Sequence, residues 1–279
     1  MKLKTPLRYP GGKSRATDKI FKKLPEFKYY RELFLGGGSC ALYISHKCRT
    51  PVWVNDKYFN LFCFWKALQE DSVRLYNSIL ESKIKADEYE DNVGAHRELF
   101  ITSRDRLVEN LDVFERGVLF YIANKCSFSG LGESSGFSAQ ASQSNFSYAG
   151  IQKLKEYGPL IQHWLITNYD YSDLLQDPEP ETFIFADPPY DIKSGLYGKK
   201  GAHHLSFDHV DFARQISNVK SNVMITYNSS EDLRELYKDW NQSEWDLTYT
   251  MHSGKMYRKD EKNRKELLLT NYDIEQRSI

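Results

Sequence analysis

Four consecutive residues, Asp187-Pro188-Pro189-Tyr190, combine groups that suit an amino nitrogen on a planar ring. Two prolines have no N–H to donate, and they hold an extended, rigid backbone whose carbonyls stay free to accept. A carboxylate (Asp187) and a main-chain carbonyl (Pro188) offer two acceptors for one amine, and Tyr190 offers a face for stacking. A second group lies upstream, where Gly36, Gly37 and Gly38 follow Phe34-Leu35 and precede a helical pattern. Glycines in such a turn let a ligand approach the backbone, and the helix start presents unpaired N–H groups. The spacing does not meet G-x-G-x-x-G, since Ala41 stands where the last glycine is required, so a pyrophosphate-bearing ligand is disfavoured. Asp56 adds a carboxylate that can accept both hydroxyls of a ribose bound over the turn, an arrangement that fits an adenosine.

These residues need strands to hold them. Tyr29–Leu35 reads as a strand running into the glycine turn, SCALYISHKC as an amphipathic helix, and Pro51–Val54 as a second strand ending at Asn55-Asp56. This β-α-β unit predicts a parallel sheet. Further strands are predicted at Trp164–Asn168, Thr182–Ala186, Asn222–Tyr227 and Glu266–Asn271. Asp187 then falls at the carboxyl end of a buried strand, where open α/β sheets bind their ligands. Between Tyr58 and about Asn124 apolar residues recur at three and four, which predicts helices. Ser127–Ser147 holds eight serines, three glycines and a single charged residue, Glu133, and reads as a polar loop. No internal repeat is visible.

The chain has 279 residues, 41% of them hydrophobic, enough for a substantial core. Its 38 basic and 38 acidic residues cancel, so no global field favours a polyanion and any affinity for one must be local. The clearest patch is Lys255–Lys265, with six basic and two acidic residues. The spacings of Cys40, Cys48, Cys63 and Cys126 fit neither a metal knuckle nor a dense disulfide framework. With no apolar run near 18 residues and no secretory leader, a cytoplasmic protein without membrane attachment is expected.

Taken together, R-Y-P-G-G-K (Arg8–Lys13), F-L-G-G-G-S (Phe34–Ser39), Asn55-Asp56 and Asp187–Tyr190 resemble, in order and spacing, the Dam-type (D12 class) family of adenine-specific DNA methyltransferases. The likeness continues through FYIANKCSFSGLG, FDHVDFA, MITYNSS and NRKELLLTNY. It implies a Rossmann-like, S-adenosylmethionine-dependent methyltransferase sheet (residues 1–57 and 160–279) with an inserted helical and loop DNA-recognition region (58–159). By the same resemblance Tyr9, Lys13, Phe34, Gly36, Gly38, Asp56, Asp170, Tyr171 and Asp187 would bind S-adenosylmethionine. Asp187, Pro188, Pro189 and Tyr190 would then hold a flipped adenine for transfer to N6. Double-stranded DNA is the expected partner, contacted by the insert and by Lys255–Lys265, and the expected state is a monomer or weak dimer.

Two departures stand out. Leu33 replaces the proline usual before the aromatic of the glycine motif. The Ser127–Ser147 stretch has no arginine where GATC-reading enzymes of the family carry one, which leaves a GATC readout without its usual guanine-binding side chain. Other readings stay open on residue chemistry alone: an N4-cytosine enzyme, which usually has serine in place of Asp187; a protein or RNA methyltransferase, with asparagine there; or a DNA-binding module without activity. His203-His204 and His209 lack partner ligands at convincing spacing, so no metal is expected.

Overall fold

The computed structural model describes residues 4–130, 132–189, 207–246 and 265–273. Tyr190, His203, His204 and Lys255–Arg264 therefore lie outside the described residues. Seven strands form one sheet: β1 (Tyr29–Glu32), β2 (Val52–Asn55), β3 (Trp164–Thr167), β4 (Thr182–Ala186), β5 (Asn222–Asn228), β6 (Asn241–Asp246) and β7 (Lys265–Thr270). Their order is β3-β2-β1-β4-β5-β7-β6. The first five are mutually parallel, β7 runs antiparallel to β5, and β6 antiparallel to β7. The chain leaves β1 outward to β2 and β3, then returns to β4 on the other side of β1, so a crevice opens between the carboxyl ends of β1 and β4.

The helices follow in chain order: α1 (Thr17–Ile20), α2 (Ser39–Lys47), α3 (Phe59–Glu70), α4 (Ser72–Asp87), α5 (Asn92–Arg106), α6 (Val113–Cys126), α7 (Ala139–Ser144), α8 (Tyr148–Gln152), α9 (Leu154–Ile161), α10 (His209–Ser217) and α11 (Glu231–Leu236). Those from α3 to α9 all lie between β2 and β3. They share one apolar core with the sheet, in which Phe64, Trp65, Leu68, Tyr121 and Ile161 cluster with Val52, Val54 and Phe183. Gln69 fastens α3 to the far edge, donating to the carbonyls of Ile161 (2.9 Å) and Trp164 (2.6 Å). Residues 58–159 are thus packed onto the sheet by their first and last helices, not hung from it on linkers. The opposite sheet face is covered by α10, where Phe212 and Ile216 meet Ile184, Ile225 and Leu267. With apolar layers on both faces, all five residues of β4 are buried, which is why its sequence, TFIFA, shows no polar alternation.

Two expectations change. Ser127–Ser147 is not a plain loop. Serines organise it, Ser138 capping α7 through the Ala141 N–H (3.2 Å) and Ser147 capping α8 through the Gly150 N–H (3.1 Å), while Phe146 is fully buried. Strand β6 carries little signal in the sequence, because NQSEWD has no apolar alternation and a single strong strand former, Trp245. It is an edge strand, and Glu244 on it pairs with Arg234 and, at 3.4 Å, with Lys265, a charged rim of the kind that discourages edge pairing.

Candidate active site

A cavity of about 360 Å³ occupies the crevice at the ends of β1, β2 and β4. Its floor is the glycine turn. Gly36 (φ +49°) and Gly38 (φ +70°) are left-handed, as glycine readily allows. The Tyr9 ring lies against Gly36, where a Cβ would stand 3.1 Å from it. Gly38 does not line the cavity. A Cβ there would lie 2.5 Å from the indole of Trp65, so this glycine admits the α3 tryptophan under the turn.

Asp56 braces the turn, accepting from the Gly36 N–H (2.8 Å) through one oxygen and from the Tyr58 N–H (2.9 Å) through the other. Burial pushes its pKa up to about 6 against these two bonds, which favour the ionised form. Its neighbour Asn55 is a latch, accepting from the Tyr169 N–H (2.8 Å) and donating to the Leu33 and Tyr169 carbonyls (3.3 and 3.1 Å). The residues after β1 and β3 are thereby tied together across β2.

One cavity wall is aromatic. The Phe34 and Tyr171 rings stand 5.7 Å apart, and Phe207 completes the group at 5.6 Å from Phe34 and 5.7 Å from Tyr171. Asp170, beside Tyr171, also lines the cavity, but its carboxylate caps the following turn through the Ser172 N–H (3.2 Å) and pairs with Lys57 at 2.6 Å. Burial would raise its pKa, but the Lys57 and Ser172 bonds outweigh it and hold the carboxyl below its ordinary value.

At the opposite end, Asp187 follows β4. The Lys13 ammonium lies 2.8 Å from each of its oxygens, and the Thr226 hydroxyl donates to one of them at 2.7 Å. The pairing of Ala186 with Ile225 across β4 and β5 sets Thr226 level with Asp187. Lys13 is 1% exposed and Asp187 22%, and both line the cavity, the carboxylate being the more open of the two. Burial favours loss of the Lys13 charge, but Asp187 and Glu266 outweigh it and hold the pKa above its ordinary value. Pro189 lines the cavity and Pro188 is buried.

Four residues of the site escape sequence reasoning: Thr226, Glu32, Phe207 and Glu266. Glu32, at the end of β1, also lines the cavity and accepts from the Tyr30 hydroxyl (2.7 Å). Burial above all holds its carboxyl well above the usual range, aided by the charges of Asp187 and Asp56. A charged residue inside an otherwise apolar predicted strand is the available signal for Glu32, whereas Thr226 and Glu266 belong to strand patterns that carry no mark of the site. Among the described residues, no group of His, Cys, Asp or Glu side chains is arranged to hold a metal, and no helix is long and apolar enough to cross a membrane.

A doubly wound sheet with an aromatic-walled cavity at its switch point is the architecture in which open α/β proteins place their ligand sites. The sequence model of the D12 class N6 adenine-specific DNA methyltransferases matches residues 9–251, and the chain belongs to this family. It is similar to a DNA adenine methylase of Salmonella typhi (25% identical, over 85% of this chain and 83% of the relative). It is also similar to the type II methyltransferase M.MjaIII of Methanocaldococcus jannaschii (26%, over 68% and 70%). A third relative is M.CviBI of Paramecium bursaria Chlorella virus NC1A (22%, over 97% and 100%). The protein is a site-specific DNA adenine methyltransferase.

Proposed function

We propose that the cavity binds S-adenosylmethionine between the glycine turn and the aromatic wall, and that Asp187 receives the amino group of a flipped adenine at its other end. The observation that carries this reading is that one cavity holds both an adenosine-type cradle (Gly36, Asp56, the Phe34–Tyr171 wall) and a cavity-facing carboxylate on a buried ammonium. The donor set fits the cofactor. Asp56 has acceptor capacity for ribose hydroxyls, Tyr9 packs on the turn, and the volume lies in the range of small-ligand sites, roughly 300–1,000 Å³.

S-adenosylmethionine supplies an electrophilic methyl on sulfur. The protein's part is to make the amine nucleophilic. Asp187 and the Pro188 carbonyl accept the two amino hydrogens, drawing the lone pair out of conjugation with the ring, and Tyr190 stacks on the base. As positive charge develops on N6, the carboxylate stabilises it more than in the ground state. Lys13 and Thr226 fix the carboxylate's orientation, so little reorganisation accompanies the step.

Residues 58–159, together with Lys255–Lys265, would form the DNA surface, their cations setting affinity through phosphates. Phe128 is a candidate contact of another kind. It is 48% exposed, beside left-handed Ser129 (φ 55°), on a turn held to Arg8 by the Asn124 amide, which donates to the Arg8 and Gly130 carbonyls. An exposed aromatic on a braced turn can fill the gap left in a base stack. A cytoplasmic enzyme, monomeric or weakly dimeric, accords with this reading. The test is twofold: calorimetry with S-adenosylhomocysteine, and mass spectrometry of nucleosides from DNA treated with the enzyme. Absence of binding, or of N6-methyladenine, would overturn it.

A further inference from the structure

If Asp187 receives the flipped adenine, as the proposed function has it and as the present inference requires, its pairing with Lys13 raises a difficulty. Both Asp187 oxygens lie at hydrogen-bond distance from the Lys13 ammonium. A base amine arriving at Asp187 competes with that ammonium for the same oxygens. Lys13 cannot simply retreat to water, because it is 1% exposed, and a buried cation without an anion is strongly disfavoured. Its backbone is also anchored, the Lys13 N–H donating to the Ser39 hydroxyl at 3.1 Å. The ammonium also donates to the Gly11 carbonyl at 3.0 Å, so any adjustment is confined to the end of the side chain.

A second carboxylate lies near the same ammonium. Glu266, on β7, places an oxygen 3.9 Å from the same ammonium and is itself 1% exposed. Its strand lies next to β5, with Glu266 opposite Asn228, two residues beyond Thr226. The ammonium thus has two carboxylates near it, one that lines the cavity and one that is buried and outside the lining. A shift of about 1 Å would bring it to hydrogen-bond distance from Glu266.

We propose that Glu266 is a positioning residue that takes over the Lys13 ammonium when Asp187 turns to the flipped adenine. The buried cation keeps an anion in both states, and Asp187 is released to the amine without exposing either charge. Glu266 touches neither base nor cofactor and acts through Lys13. That both carboxylates sustain the Lys13 charge against burial accords with this arrangement.

The test isolates the bond between Asp187 and the amine. The target adenine is first located by sequencing DNA from cells expressing the enzyme. Affinities of the full-length protein with S-adenosylhomocysteine are then measured for two duplexes, one with adenine at the target and one with purine, which lacks the amino group. The adenine-over-purine ratio is compared among variants, so that effects intrinsic to the DNA cancel. Glu266→Gln is expected to lower the ratio at least fivefold while S-adenosylhomocysteine affinity stays within twofold. Adding Lys13→Met should restore the ratio, because the competing ammonium is gone. Glu266→Asp, which keeps the charge but lengthens the reach, should lower the ratio about twofold, and it carries the test alone if the glutamine variant does not fold. An unchanged ratio in the folded Glu266 variants, or a double variant as poor as Glu266→Gln, overturns the role of Glu266. If Asp187→Ala also leaves the ratio unchanged, the fault lies instead with the assignment of Asp187.

Discussion

The Trp65 indole nitrogen donates to the Gly36 carbonyl at 3.1 Å, so the first helix after β2 is bonded to the floor of the cavity. Trp65→Phe keeps most of the apolar bulk and removes that donor. It should cost about 1–2 kcal/mol of stability, from one unsatisfied carbonyl and a small void, and should weaken S-adenosylhomocysteine binding severalfold. Chemical denaturation and calorimetry on the same sample check both effects. Unchanged ligand affinity would detach α3 from the function of the turn.

Gly38→Ala tests the other side of this contact. The added methyl would meet the Trp65 ring at 2.5 Å in a left-handed backbone that alanine disfavours. Overpacking costs roughly 1–3 kcal/mol and the αL conformation roughly 1–2 more, so a loss of about 2–5 kcal/mol is expected. A thermal melt within about 2 °C of the parent would show that the indole has room to give way.

Asp187→Ala and Thr226→Val should separate in size. The first removes the carboxylate from the transition state and should lower single-turnover methyl transfer by 10²-fold or more, with a much smaller loss of affinity for DNA that carries the target adenine. The second removes only one orienting hydroxyl, and on the scale of one hydrogen bond to a charged group, about 1.5–3 kcal/mol, should slow transfer roughly 10- to 100-fold. Quench-flow rates with saturating cofactor decide it. Equal losses would make Thr226 more than an orienting group.

Cofactor affinity should depend on pH through Asp56. Its pKa is raised to about 6, so the ionised form that accepts ribose hydroxyls best prevails above pH 6 and is lost as pH falls through that value. Affinity for S-adenosylhomocysteine should therefore fall between pH 7 and pH 5. Asp56→Asn should bind more weakly at pH 7 and lose most of this dependence, as calorimetry across the range will show.

The site is legible in the sequence wherever chemistry and backbone coincide. Asp187 and its prolines, the glycine turn and Asp56 each end a strand whose apolar run is visible, and the strands fall within a few residues of the predicted spans. Legibility drops where a residue's meaning depends on a distant partner. The motif makes Gly38 a ligand contact, yet Trp65 fills the space beside it. The resemblance assigns Asp170 to the cofactor, and in the fold its carboxylate is also engaged by Lys57 and Ser172. Thr226 and Glu266 are ordinary strand residues until the register of β4, β5 and β7 sets them beside Asp187 and Lys13. Such placement is a property of pairing order, which local patterns do not contain.

The central ion pair joins residues 174 positions apart, one in the loop before α1 and one after β4. Contacts of such long range form only after the chain between them has been ordered, and they slow folding relative to local structure. The helices from α3 to α9 can form early from neighbouring residues, whereas the charge balance of the site waits for the parallel strands on both sides of β1. During synthesis Lys13 leaves the ribosome long before Asp187 does, so a nascent chain carries the glycine turn well before it carries the carboxylate. The competence to act on the base therefore comes late, when the centre of the sheet closes.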